Sequence, residues 1–270
     1  MTFLGKLFTR PFVYARELWF CLSVGVTPSD KLRLALATLA FHLRAGRGRV
    51  VTAQIRYGSL TADLRLRCDG GDMFIFHEVL HGRVYQVSPQ WLDGEPRVIV
   101  DLGANVGLAT LALAAQFPNA RLICVESHPE TAALLRHNLA GLGARARVFE
   151  AAVSDTNGRM RLAIAAEHCN ASLVRGGIGG IEVETITMEQ IIAQAGIETI
   201  DVLKMDIEGG EKLILPGQPE WLKRVGVLLA ELHDGYGFSE LERDVSVAGL
   251  RVLRVGSAQA VATRTTSSAG

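Results

Sequence analysis

The sequence predicts a doubly wound α/β domain that carries an N-terminal helical segment and a small β extension, and three observations lead to it. First, Arg97 to Gly107 reads RVIVDLGANVG, a β-branched run that ends at Asp101 and passes straight into a glycine turn. Second, LATLALAAQF follows with Leu108, Leu111, Ala112 and Ala115 at helical spacing, which makes the stretch half of a nucleotide-binding βαβ unit. Third, apolar strand-like runs alternate with helical runs downstream, and 49% hydrophobic content over 270 residues supplies a full core.

Residues 1–48 read as a helical segment. Phe3 to Gly25 is apolar, aromatic and basic, and Ser29 opens a second helix to about Arg44 that keeps Leu32, Leu36, Leu39 and Leu43 on one face. Two readings stay open: packing on the main domain, or peripheral membrane contact through residues 1–45. The first 56 residues hold nine Lys or Arg against Glu17 and Asp30. Such a balance suits anionic lipid or another acidic partner, although a solvated helix face is its commoner cause. Leu18 to Val26 is too short to span a bilayer, and no secretory cleavage pattern follows it. Cys21, Cys68, Cys124 and Cys169 lie far apart with no CxxC pair, so reduced thiols and a cytoplasmic setting are expected.

Residues 49–96 read as the small β extension, because VVTAQIRYG, LTADLRLRC and MFIF alternate in the manner of strands. Within them His77-Glu78-Val79-Leu80-His81 matches the H-E-x-x-H zinc pattern. Gly70, Gly71 and Gly82 leave little room for a sustained helix, and no third ligand follows at the expected spacing. An edge or short-turn segment with polar side chains, holding no metal, is therefore expected.

Residues 97–256 form the main domain. ARLICVE, RVFEAAV, IDVLKMD and VGVLLAELH read as further buried strands and PETAALLRHNL as a helix. RMRLAIAA and IEVETIT flank a polar, glycine-rich stretch with Asn170 and Ser172, expected to be an edge hairpin with a mobile loop lining the site. Ser239 to Ala248 reads as a helix, LRVLRVG as the final strand, and 257–270 as a disordered tail.

The ligand follows from the strand ends. Glu126 lies nineteen residues beyond Gly107, where a carboxylate accepts both ribose hydroxyls of a nucleoside. Asn105 stands where a dinucleotide site has its second glycine and would crowd a pyrophosphate, and the negative Asp101 suits a cationic ligand such as a sulfonium.

DLGANVG, VESHPETAALLRHNL, AAVSD, VETITMEQII, IDVLKMDIEGGE and LLAELH, in this order, resemble the FkbM-type methyltransferases, a branch of the S-adenosylmethionine-dependent Rossmann-like enzymes. The resemblance spans about Val98 to His233. It implies a seven-stranded sheet with a final antiparallel hairpin, with residues 97–256 as the S-adenosylmethionine-binding catalytic domain. The activity implied is methyl transfer, usually to a hydroxyl of a natural product, sugar or lipid-linked glycan. Carried over by position, Asp101, Gly103, Asn105 and Gly107 surround the methionine moiety, Glu126 holds the ribose, Ala152 lies near the adenine, and Ala104 and Ser127 complete the expected cofactor-binding set.

A neutral alcohol acceptor needs a proton acceptor. Lys204 and Asp206 share one strand face, Glu231 and His233 share the next, and Glu208 opens a turn. His233 or Asp206 is the expected base. A divalent ion on Asp206, Glu208 and Glu231 is the weaker alternative. A nicotinamide oxidoreductase is disfavoured by Asn105 and the lack of a Tyr-x-x-x-Lys pair, and a non-catalytic nucleotide-binding or membrane-docking protein is the third class. Net charge zero and the absence of a binding motif speak against nucleic acid.

Overall fold

The structure is a computed structural model and describes residues 3–68, 71–164, 171–174, 180–233 and 235–264. Its centre is a seven-stranded sheet built from β3 (Val98–Leu102), β4 (Arg121–Glu126), β5 (Ala146–Glu150), β10 (Ile200–Met205), β11 (Val225–Glu231), β12 (Leu250–Arg254) and β13 (Gln259–Arg264), in the spatial order β12-β13-β11-β10-β3-β4-β5. The five strands from β11 to β5 are parallel, and β13 runs antiparallel between β11 and β12. From β3 the chain winds outward through α4 (Leu108–Gln116), β4 and α5 (Pro129–Asn138) to β5, then returns through α6 (Met188–Ala195) to β10 on the other side of β3. That reversal between β3 and β10 leaves a crevice at the strand carboxyl ends, where ligands bind in such sheets.

Strand alternation sorts the side chains into two cores. Val100, Leu102, Leu203, Met205 and Leu228 pack on the face covered by α6 and α8 (Phe238–Ser246). Ile99, Leu122, Val202 and Leu229 pack on the face covered by α4 and the N-terminal region. Asp101, Glu126, Lys204 and Glu231 share the parity of the second set, so one face gathers all four at its carboxyl end.

The N-terminal region docks on this same face. α1 (Phe3–Val24) and α2 (Pro28–His42) pack against each other and onto the hairpin of β1 (Val50–Tyr57) and β2 (Leu60–Arg67). Thr27 and Asp30 form a capping box at the start of α2, and Asp30 also accepts from the Gln54 backbone N–H. Leu34, Ala53, Ile55 and Leu64 join the core beneath α4, so helices, hairpin and sheet share one interior. Asn138 clips the hairpin to the main domain, accepting from Arg65 N–H at 2.7 Å and donating to the Val106 carbonyl at 2.8 Å.

Four expectations are corrected. MFIF is helical: α3 (Gly71–Ile75) continues into a π-helical turn, Phe76–His81, with Arg67 and Asp72 paired at 2.8 Å beside it. HEVLH lies in this short π-helical turn rather than on a sheet edge, and His77 is buried against Thr38. Gln259–Arg264 is a paired strand rather than part of a structureless tail, so the main domain runs past 256. The detour after β5 is a separate four-stranded sheet, ordered β6-β9-β7-β8 from β6 (Ala152–Val153), β7 (Gly158–Ile164), β8 (Ala171–Val174) and β9 (Ile181–Ile186), and not an edge of the central one. Asn170 and the Ser172 side chain lie outside the described residues.

Candidate active site

The glycine turn forms one wall of a cleft of about 1200 Å³. Gly103, Asn105 and Gly107 take positive φ of 72°, 49° and 90°. Gly103 is required there, since a Cβ would sit 1.8 Å from the Asp206 carbonyl oxygen. The N–H groups of Gly103 and Ala104 both donate to the Val125 carbonyl, which binds the turn to β4. Glu126 at the end of β4 accepts from Asn105 N–H at 3.0 Å and His128 N–H at 2.8 Å. Burial pushes its carboxyl above the ordinary range, while those two N–H groups work in the opposite direction.

Gly103, Ala104, Asn105, Glu126, Ser127 and Ala152 all line the cleft, whereas Asp101 and Gly107 do not. Asp101 is turned behind the turn, where it accepts from Thr110 Oγ1 at 2.6 Å and pairs with Lys204 Nζ at 3.2 Å. These contacts hold the start of the turn against α4 and β10. The Lys204 ammonium also donates to the Gly103 carbonyl at 2.7 Å, and is almost wholly buried. Burial works against its charge, but Asp101 and Asp206 outweigh it and raise the pKa. Lys204 thereby ties the glycine turn to Asp101 and to the end of β10.

The acidic end of the cleft is built where β10 and β11 finish. Asp206 and Glu231 are joined by Tyr85, whose hydroxyl stands 3.0 Å from Asp206 Oδ2 and 2.8 Å from Glu231 Oε2. Glu208, at φ 51°, lines the cleft as the chain turns toward α7 (Glu211–Ile214). Burial, helped by Asp206 and Glu231, pushes its carboxyl up to about 7, although His233 works the other way. His233 lies behind this wall and is not part of the cleft lining. Its Nδ1 is 3.0 Å from the buried Glu211, and its Nε2 is 3.4 Å from Glu208 and 3.6 Å from Asp206. Burial lowers its pKa, but the Glu211 hydrogen bond and the three carboxylates prevail and push it up to about 9. The charged form of the imidazole is thereby favoured beside Glu208 and Asp206.

Asp206, Glu208 and His233 bring one possible ligand atom each within 4.8 Å of one another. Glu231, named in the weaker alternative of a divalent ion, lies outside that group and is hydrogen-bonded by Tyr85.

Tyr14, Phe41, His42, Arg44 and Arg47 form the outer wall, where His42 is hydrogen-bonded to Glu17. Glu78 of the H-E-x-x-H match lines the cleft, while His77 bonds Thr38 at 3.0 Å and His81 stacks on Phe20 at 5.0 Å. The two histidines therefore build no zinc site among the described residues. Sequence reading missed Tyr85 altogether, for nothing in GRVYQ marks it, and it gave Glu78 no place in the cleft.

The cleft fits S-adenosylmethionine on a feature of its own wall. Asn105 Oδ1 is buried there with no hydrogen-bond partner among the described residues. A doubly wound sheet with a glycine turn, an acidic residue ending β4 and an antiparallel β13 defines a Rossmann-like S-adenosylmethionine-dependent methyltransferase. More narrowly, residues 101–248 match the methyltransferase FkbM domain, and the chain belongs to that family. It is 30% identical over 170 residues to the 2-O-methyltransferase NoeI of Sinorhizobium fredii, covering 56% of this chain and 70% of the relative. It is 26% identical over 238 residues to the 31-O-demethyl-FK506 methyltransferase FkbM of Streptomyces tacrolimicus, covering 69% and 89%. In fold it resembles the crystal structure of a methyltransferase FkbM from Methylobacillus flagellatus, with a TM-score of 0.50 and 14% identity over 96% of this chain and 60% of that one.

Proposed function

We propose that the protein transfers a methyl group from S-adenosylmethionine to a hydroxyl of a small-molecule acceptor, of the natural-product, sugar or lipid-linked glycan class. The observation that carries the choice of oxygen is Glu208, a carboxyl held near neutral pH at the wall of the cleft, next to the cofactor turn. When bound, the cofactor supplies an electrophilic methyl on a sulfonium. Glu126 accepts the ribose hydroxyls, Asn105 Oδ1 takes a donor from the ligand, and Ala151, Ala152 and Leu162 offer the adenine an apolar wall.

Glu208 as carboxylate would take the proton of the acceptor hydroxyl as the methyl passes to that oxygen, its bond to the sulfonium breaking to release the neutral thioether S-adenosylhomocysteine. His233, clamped by Glu211, holds Glu208 and Asp206 at fixed positions. Tyr85 ties Asp206 to Glu231, so two carboxylates share one hydroxyl proton instead of repelling freely. Two relatives named for O-methyl transfer support an oxygen acceptor. The buried free thiols Cys21 and Cys124 support a reducing, cytoplasmic setting.

The test is titration calorimetry of the full chain with S-adenosylmethionine, S-adenosylhomocysteine and NADH, followed by labelled-methyl transfer to a panel of alcohols. Binding of the two sulfur ligands and label recovered as a methyl ether are expected. Label on nitrogen or carbon would refute the oxygen acceptor, and binding of NADH alone would refute the cofactor.

A further inference from the structure

The leucines of α2 lie on the wrong side for a packed helix. Leu34, Ala37 and Thr38 are buried, while Leu32, Leu36, Leu39 and Leu43 line the opposite face and are 58%, 55%, 46% and 67% exposed. On α1, Cys21 and Val24 are buried, and Phe12, Trp19 and Leu22 are exposed, Trp19 at 73%. The inner faces of both helices are occupied by β1 and the π-helical turn, so both apolar stripes point away from the body. Seven large apolar side chains standing together on a helical pair exceed what a solvated surface needs.

Charge says what covers them. The acidic residues of the pair are spent internally, Glu17 on His42 and Asp30 on the α2 cap. Arg16, Arg33, Arg44, Arg47 and Arg49 are exposed, and among the described residues only Arg33 has a carboxylate within 4 Å, that of Asp30 at 3.9 Å. Apolar stripes with an aromatic residue and a surplus of exposed arginine match the interface of an anionic bilayer. A second copy of the same surface would bring those arginines against one another. No helix among the described residues is long and apolar enough to cross a membrane, so the contact is one of lying on the surface.

We propose that the outer face of α1 and α2 seats this protein on an anionic phospholipid bilayer. The end of that face is also the rim of the cleft: His42, Arg44 and Arg47 line the cleft directly after Leu39 and around Leu43. Resting on the O-methyl transfer reading, the acceptor hydroxyl then belongs to a molecule held in the membrane and presented at its surface.

The test is co-sedimentation of the full chain with phosphatidylcholine vesicles and with vesicles containing phosphatidylglycerol, read alongside Trp19 emission. Binding to the anionic vesicles, with a blue shift lost in Trp19→Phe, is expected. The bound fraction should fall about tenfold in L36D/L39D and in R16E/R33E, with S-adenosylmethionine calorimetry unchanged. A chain that binds S-adenosylmethionine but neither vesicle overturns the docking and leaves methyl transfer standing. Vesicle binding without S-adenosylmethionine binding supports the docking and overturns the enzymatic reading. Equal binding to neutral vesicles overturns the anionic partner, and a dimer that L36D/L39D dissociates, with no vesicle binding, replaces the bilayer with a second copy.

Discussion

On the proposed mechanism, Glu208 governs how turnover depends on pH and His233 how stability does. With Glu208 at about 7, kcat should rise as pH passes through 7 and the carboxylate forms. Glu208→Gln should lower kcat by about 10²–10⁴-fold and abolish that rising limb while cofactor affinity is kept, as read from pH-rate profiles and calorimetry. An unchanged profile would remove Glu208 from catalysis. His233 has its folded pKa raised to about 9 above an ordinary 6.5, so its stabilising contribution is complete below about 6.5 and is lost as pH climbs through 9. Urea midpoints of the wild type and His233→Ala should accordingly differ most at pH 6 and converge above pH 9. Gly103 is fixed by geometry alone: Gly103→Ala should cost about 3 kcal/mol, because Cβ would collide with the Asp206 carbonyl in a backbone that already has φ 72°. Glu126→Gln should weaken S-adenosylmethionine binding by about 1.5–3 kcal/mol, the worth of hydrogen bonds to a charged group.

At the scale of elements, legibility follows how locally each was encoded. RVIVDLGANVG carries its strand, turn and helix start within eleven residues, and every part formed where the pattern put it. The strand-end acids were readable too, because parity along β10 and β11 fixes their face. MFIF was not, since four apolar residues suit a strand or a helix equally, and the decision came from packing under α1 and α4. Nor was β13: QAVATR has little apolar pattern, and its partners Val227 to Glu231 are supplied by tertiary structure. Tyr85 reaches Glu231 across 146 residues of chain, a distance no local pattern spans. The clip between β2 and the glycine turn is likewise long-range, and Asn138→Ala should cost about 1–3 kcal/mol by leaving the Arg65 N–H unpaired. Equilibrium denaturation measures it, and a value near zero would mean the hairpin needs no such clip.

Over the whole molecule, the charge asymmetry visible in the sequence has a spatial meaning, with basic residues on the outer helical pair and acids around the inner end of the cleft. The arrangement gives the cleft a positive mouth and a negative floor. The order of the central sheet also bears on biosynthesis. β13 is made after every other strand of the sheet, yet lies between β12 and β11. A growing chain therefore reaches Arg254 with the apolar edge of β11 still unpaired, and no intermediate length before Arg264 can close the sheet. Completion of this domain is in that sense tied to its last strand leaving the ribosome, and until then Val225–Glu231 is a bare edge of the kind that chaperones shield.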